Sequence, residues 1–275
     1  MQTLPSANVF LLTHKCGNSY IESIFRGRKD YCQFLSEDLK GEMPGPHIGE
    51  IASLRPEVIN VKCRNFNPLS ITKLLRLIDA KKSSFYLFTR HPASFFRSAA
   101  TYHLRGGEEW ARTNVYPHLG GSTLHEALIA AEGNSERLLV SMKHFGLAWT
   151  LIDKWVQNHR LLQSLKLEIE VVRIEDLFTC RDASYYELLA DSMRKTSFRI
   201  SATELMRSSP AFMPELPLHS TGEFQKDVFH GYGKNSLQFY EDNFASQQSE
   251  LYGGDLILGD WSNSASAGRS NEKAI

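Results

Sequence analysis

Short runs of consecutive apolar residues alternate along this chain with stretches in which apolar residues recur every third or fourth position. That alternation predicts strands buried on both faces, interleaved with helices. Val9 to Leu12 is the first such run, and it stops at a polar turn, His14-Lys15-Cys16-Gly17-Asn18-Ser19. Ile21, Ile24 and Phe25 then fall at i, i+3 and i+4, the inward stripe of a helix. Tyr31 to Leu35 and Val58 to Val61 read as further strands, on either side of a loop at Lys40 to Pro46 whose prolines and glycines break either periodicity. Ser70 is placed to cap a helix with Ile71, Leu74, Leu75 and Ile78 on one face. Phe85 to Thr89 is the clearest strand, and Arg90-His91-Pro92 follows at once. Pro92 suits the first position of a helix whose periodic face is Phe95, Phe96, Ala99, Ala100 and His103.

The middle of the chain differs in character. Leu104 to Gly121 reads as a charged and aromatic loop, long enough for a lid or an acceptor-binding element. Thr123 and Glu126 have the spacing of a capping box that opens a helix. From Ser135 to Leu162 the helical period continues, with a break expected near Gly146, and Trp149 and Trp155 belong to its core face. Ile169 to Arg173 is another strand, followed by an exit turn through Leu177. Helices are expected at Tyr185 to Arg194, Ala202 to Arg207 and Leu237 to Phe244, with a loop at Pro210 to Pro217 and an apolar end near Leu256 to Trp261. The small, polar residues 262–275 read as a disordered tail.

A chain of 275 residues, 42% hydrophobic and 23% charged, can bury a substantial core. Its 31 basic and 31 acidic residues balance, so nothing global points to nucleic acid or an anionic membrane, and any basic site must be local. Cys16, Cys32, Cys63 and Cys180 form no C-x-x-C pair and no zinc-finger spacing, which predicts reduced thiols and no metal centre. The N-terminus lacks a basic leader and no apolar stretch is long enough to span a bilayer, so the expected location is the cytoplasm.

Candidate chemistry begins at the first strand-to-helix turn. Backbone N–H groups at a helix start, a glycine and Lys15 converge there on one small volume, which suits an anion. The turn is not a Walker A loop, because Lys15 precedes Gly17 and there is no earlier glycine. A second strand end carries Arg90, and a late segment, Phe229 to Ser236, is glycine-flanked and basic enough for its backbone to approach a phosphate.

Four segments, in order, resemble the motifs of sulfotransferases that use 3′-phosphoadenosine 5′-phosphosulfate (PAPS). THKCGNSYIESIF is similar to the family's phosphosulfate loop and its helix, FYLFTRHPASFFRSAATYH to the R-D-P segment with a later serine, VVRIEDL to an R-Y-E-D-L strand end, and GYGKNS to the loop over the 3′-phosphate. Together they bracket most of residues 8 to 258. The resemblance implies a single domain over residues 1–261 with a three-layer α/β/α fold, a central parallel sheet and a distant likeness to P-loop nucleotide kinases. It implies that Lys15, Gly17, Asn18 and Ser19 hold the 5′-phosphosulfate, helped by backbone N–H groups of Cys16 and Tyr20. Arg90 and Ser98 would bind the 3′-phosphate, closed from the other side by Gly231, Gly233 and Lys234. Arg173 reads instead as an ion pair with Glu175 or Asp176 that fixes a strand end.

Two departures from the family pattern stand out. His91 replaces the usual aspartate, and Lys62-Cys63-Arg64 stands where many cytosolic members have K-T-H with a catalytic histidine. The base is therefore sought first at His47, then at Glu50, then in the loop from His103 to His118. The acceptor would be a hydroxyl of a carbohydrate or small organic molecule, with Trp110 and Tyr116 as stacking candidates. A P-loop-like phosphotransferase and a non-catalytic nucleotide-binding protein remain as alternatives.

Overall fold

The computed structural model describes residues 6–13, 16–25, 28–29, 31–35, 57–63, 68–193, 199–209, 212 and 227–252. His14, Lys15, His47, Glu50, Arg64, most of the loop from 210 to 217 and the segments from 256 to 275 lie outside these residues.

Five parallel strands form the central sheet: β1 (Asn8–Thr13), β2 (Tyr31–Leu35), β3 (Val58–Cys63), β4 (Ser84–Thr89) and β7 (Ile169–Arg173). Their order is β2-β3-β1-β4-β7, with Val9 opposite both Ile59 and Phe85. Strands are added outward from β1 on both sides, so β3 and β4 flank it and the carboxyl ends of β1 and β4 lie side by side at the sheet edge where α/β sheets bind ligands.

Strand residues alternate between two cores, which is why both faces read as apolar. Phe10, Leu12, Tyr86 and Phe88 point to one face. There they pack against α1 (Asn18–Phe25), α3 (Pro92–Leu104), α7 (Gly146–Ser164) and α11 (Lys234–Tyr252). Val9, Leu11, Phe85 and Leu87 point to the other face, under Ile71 and Leu74 of α2 (Pro68–Leu74) and Leu162 of α7. The architecture is thus α/β, a parallel sheet between two helical layers.

Several local expectations hold. Pro92 opens α3, and Thr123 and Glu126 exchange both bonds of a capping box at α5 (Leu124–Ala130). The long helical stretch divides at Phe145 into α6 (Gly133–His144) and α7, and Trp155 is fully buried.

Others are corrected. Ser70 lies inside α2 rather than capping it, since Pro68 supplies a helix-ready φ and no N–H at the first turn. The stretch from 104 to 121 is not an irregular loop. It contains α4 (Glu109–Thr113) and a two-residue ladder of β5 (Val115–Tyr116) with β6 (Ser122–Thr123), turned at Gly120 and Gly121 with φ of +66° and +85°. Trp110 anchors it by stacking on Phe145 and meeting His103 edge-on, so this aromatic packs into the core cluster. The expected exit turn after β7 is a helix, α8 (Ile174–Thr179). Beyond it, α9 (Ala183–Ser192) and α10 (Ala202–Ser208) fall near their expected places, whereas α11 is far longer than the segment 237 to 244.

Candidate functional site

The turn after β1 is fixed by Thr13. Its carbonyl accepts from the Cys16 N–H at 3.2 Å and from Asn18 Nδ2 at 2.8 Å, while its hydroxyl accepts from Trp155 Nε1 at 2.7 Å. Gly17 takes φ +85°, and a Cβ there would lie 2.7 Å from Ile174 Cδ1. Conformation and space therefore both demand glycine. The first helical bond of α1 runs from Ile21 N–H to Gly17 O, so the N–H groups of Asn18, Ser19 and Tyr20 precede the helical ladder at the sheet's carboxyl edge. Asn18 Oδ1 is buried and accepts no hydrogen bond from the described residues. The Tyr20 side chain anchors α1 to α10 by donating to Leu205 O, which leaves its backbone as the part available to the turn.

Arg90, at the end of β4, is only 3% exposed. Its Nε donates to Ser94 Oγ at 3.1 Å and sits 3.8 Å from Glu175 Oε1. Glu175, equally buried, accepts from the His91 N–H with both oxygens, at 3.2 and 3.3 Å. His91 also caps α3, its Nδ1 accepting from the Ala93 N–H at 3.2 Å. An imidazole nitrogen is thus the acceptor at this cap, and Glu175 supplies a negative charge beside it. Burial, reinforced by the Arg173 guanidinium, pushes the His91 imidazole down to about 3, and the ring lies stacked between Tyr240 and Tyr252. Arg173 pairs with Asp176 at 2.6 Å, the structural ion pair expected of it.

The two junctions meet. The charges of Arg90 and Glu175 both act on the Cys16 thiol, which burial pushes up to about 12, and Tyr252 donates to Thr89 Oγ1 beside them. Ser98 is buried in α3, one turn beyond Ser94.

The late glycine turn is lashed elsewhere on the same helix. Arg97 Nη1 donates to the carbonyls of Asp227 and Val228, Tyr232 donates to Ala93 O, and the Gly233 N–H donates to Ser135 Oγ of α6. Gly231, with φ +86°, lies against Asn134 and Leu138, and Lys234 is exposed at the first position of α11.

Of the residues singled out from sequence, the structure therefore joins Cys16, Gly17, Asn18 and Arg90 at one sheet edge. It sets Gly231 and Gly233 against α6, reached from α3 through Arg97. Sequence reasoning missed Ser94, Arg97 and Glu175 as organisers. The available signal was a charged or hydroxyl side chain interrupting an otherwise apolar helix face.

The described residues contain no cluster of three or more metal-ligating side chains and no helix long and apolar enough to cross a membrane. A scan of protein-family models and searches of curated proteins and of solved structures return no match.

Proposed function

We propose that the chain is a cytoplasmic sulfotransferase that moves a sulfuryl group from PAPS to a hydroxyl of a carbohydrate or small organic acceptor. The observation that carries this reading is the adjacency of two strand-to-helix junctions, β1–α1 and β4–α3, at the carboxyl edge of the sheet. The helix-start N–H groups would supply donors to a phosphosulfate group, and Gly17 gives the turn the left-handed backbone that leads into that helix start.

Lys15 and the amide dipoles would be the principal counter-charge to the 5′ group, and Arg90, which faces Glu175, would act with Ser98 on the 3′-phosphate. Bound PAPS would supply an activated sulfuryl group. Lys15 and the turn N–H groups would stabilise the negative charge that grows on the departing phosphate oxygen as its bond to sulfur breaks. As the acceptor oxygen bonds to sulfur, its proton passes to a base, for which His47 is the first candidate and Glu50 the second.

Isothermal titration with adenosine 3′,5′-bisphosphate tests the nucleotide site. Wild type binds, and Lys15→Ala weakens binding at least tenfold. No binding by wild type, or equal binding by the variant, overturns the proposal. His47→Ala lowers turnover by about 10²–10⁴ with nucleotide affinity unchanged. Full turnover in that variant assigns the proton to another group.

A further inference from the structure

A cavity of about 150 Å³ lies between α3, the start of α6 and the glycine turn. Its polar wall is formed by Arg97, Thr101, Asn134, Arg137 and His230, with no carboxylate among the described residues that line it. Ala100, Leu104 and Leu138 make the apolar wall. Two guanidiniums facing one small space make it electropositive, in a chain whose total charge is balanced.

Both arginines are held in place before any ligand arrives. Arg97 is buried and fixed by its bonds to the carbonyls of Asp227 and Val228, at 3.0 and 3.1 Å. Arg137, half-buried, donates from Nε to Leu128 O at the end of α5, which leaves its two Nη groups for a ligand. Gly231 gives the turn against α6 its left-handed backbone, φ +86°, beside Asn134 and Leu138. The volume is about ten times the roughly 10–15 Å³ that one water needs, enough for a tetrahedral oxyanion and the atoms that link it to a carbon body.

We propose that this cavity binds the phosphate or sulfate head group of an organic anion. Arg97 supplies counter-charge, Arg137 counter-charge and forked donors, Asn134 and His230 further hydrogen bonds, and the apolar wall takes the carbon-bearing side. The site is separate from the β1–α1 turn and does not depend on the transferase reading.

The test is a ¹H–¹⁵N titration of the full chain with inorganic phosphate, methyl phosphate and methyl sulfate, at ionic strength held constant with chloride. Saturable shifts are expected at the Gly231 and Asn134 amides and at the Arg137 side-chain Nε–H. Arg137→Gln weakens them at least tenfold, and Lys15→Ala leaves them unchanged. Asn134→Ala, at an exposed position, weakens them several-fold and serves if the arginine variant does not fold. Absence of saturable shifts at these groups, or titration of both folded variants like wild type, overturns the proposal. Adenosine 3′,5′-bisphosphate then distinguishes the sources. Competition with methyl phosphate that is relieved by Arg137→Gln makes the head group the nucleotide's own, whereas simultaneous binding makes it a separate ligand's. Failure of the nucleotide to bind while methyl phosphate still does removes the transferase reading alone.

Discussion

Glu175 holds the carboxyl edge of the sheet together by accepting from the His91 N–H and facing Arg90 at 3.8 Å, all within the interior. Glu175→Ala leaves a buried guanidinium beside a vacated carboxylate, and urea unfolding should show a loss of about 3–5 kcal/mol. A loss under about 1 kcal/mol would mean that Arg90 draws its compensation elsewhere. His91 adds a pH dependence. Its folded value of about 3 lies below the ordinary 6.5, so the unfolded chain takes up a proton that the folded chain refuses as pH falls through that window. Stability contributed by this residue is therefore present above about pH 6.5 and is lost towards pH 3. His91→Asn keeps an acceptor for the Ala93 N–H and should flatten the slope of unfolding free energy against pH between 6.5 and 4, and an unchanged slope would assign it to other groups. Cys16 is buried and its thiol pushed up to about 12, so brief alkylation at pH 8 followed by peptide mapping should leave it unmodified until denaturant is added, with half-buried Cys180 labelled before it.

Two elements carry their own tests. At the β1–α1 junction, Gly17→Ala forces a side chain into left-handed backbone and onto Ile174, with an expected cost of about 1–3 kcal/mol and loss of adenosine 3′,5′-bisphosphate binding in calorimetry. Retained binding would show that the turn's shape does not matter to the ligand. At α5, Thr123→Ala removes the cap to the Glu126 N–H and should cost about 1 kcal/mol by thermal unfolding. The features legible in sequence at this scale are those decided within one or two turns of chain. Pro92 at the helix start, the Thr123–Glu126 box and the division near Gly146 all depend on near neighbours. The stretch from 104 to 121 was not legible because its order comes from Trp110 seated on Phe145, which is 35 residues away, and no local period encodes that contact.

Across the whole molecule, β1 and β4 are two of the three inner strands, each paired on both sides and buried on both faces. Hydrogen exchange should therefore find its slowest amides at Phe10 to Leu12 and Tyr86 to Phe88, and earlier exchange in the β5–β6 ladder, which pairs only two residues a side. Equal protection in both places would contradict the core described here. By itself the sequence determined the succession of strands and helices, the placement of Gly17 and Pro92 at element ends and the apolar runs that mark strands covered on both faces. Period, caps and turn chemistry are set by neighbours along the chain. Only the tertiary structure decided that β1 lies beside β4, which brings Cys16 to Arg90, that Glu175 joins His91 across 84 residues, and that Arg97 ties α3 to carbonyls about 130 residues away. Those pairings follow from how the two helical layers close over the sheet, a choice made by packing between distant segments and by the demand that buried charge find a partner.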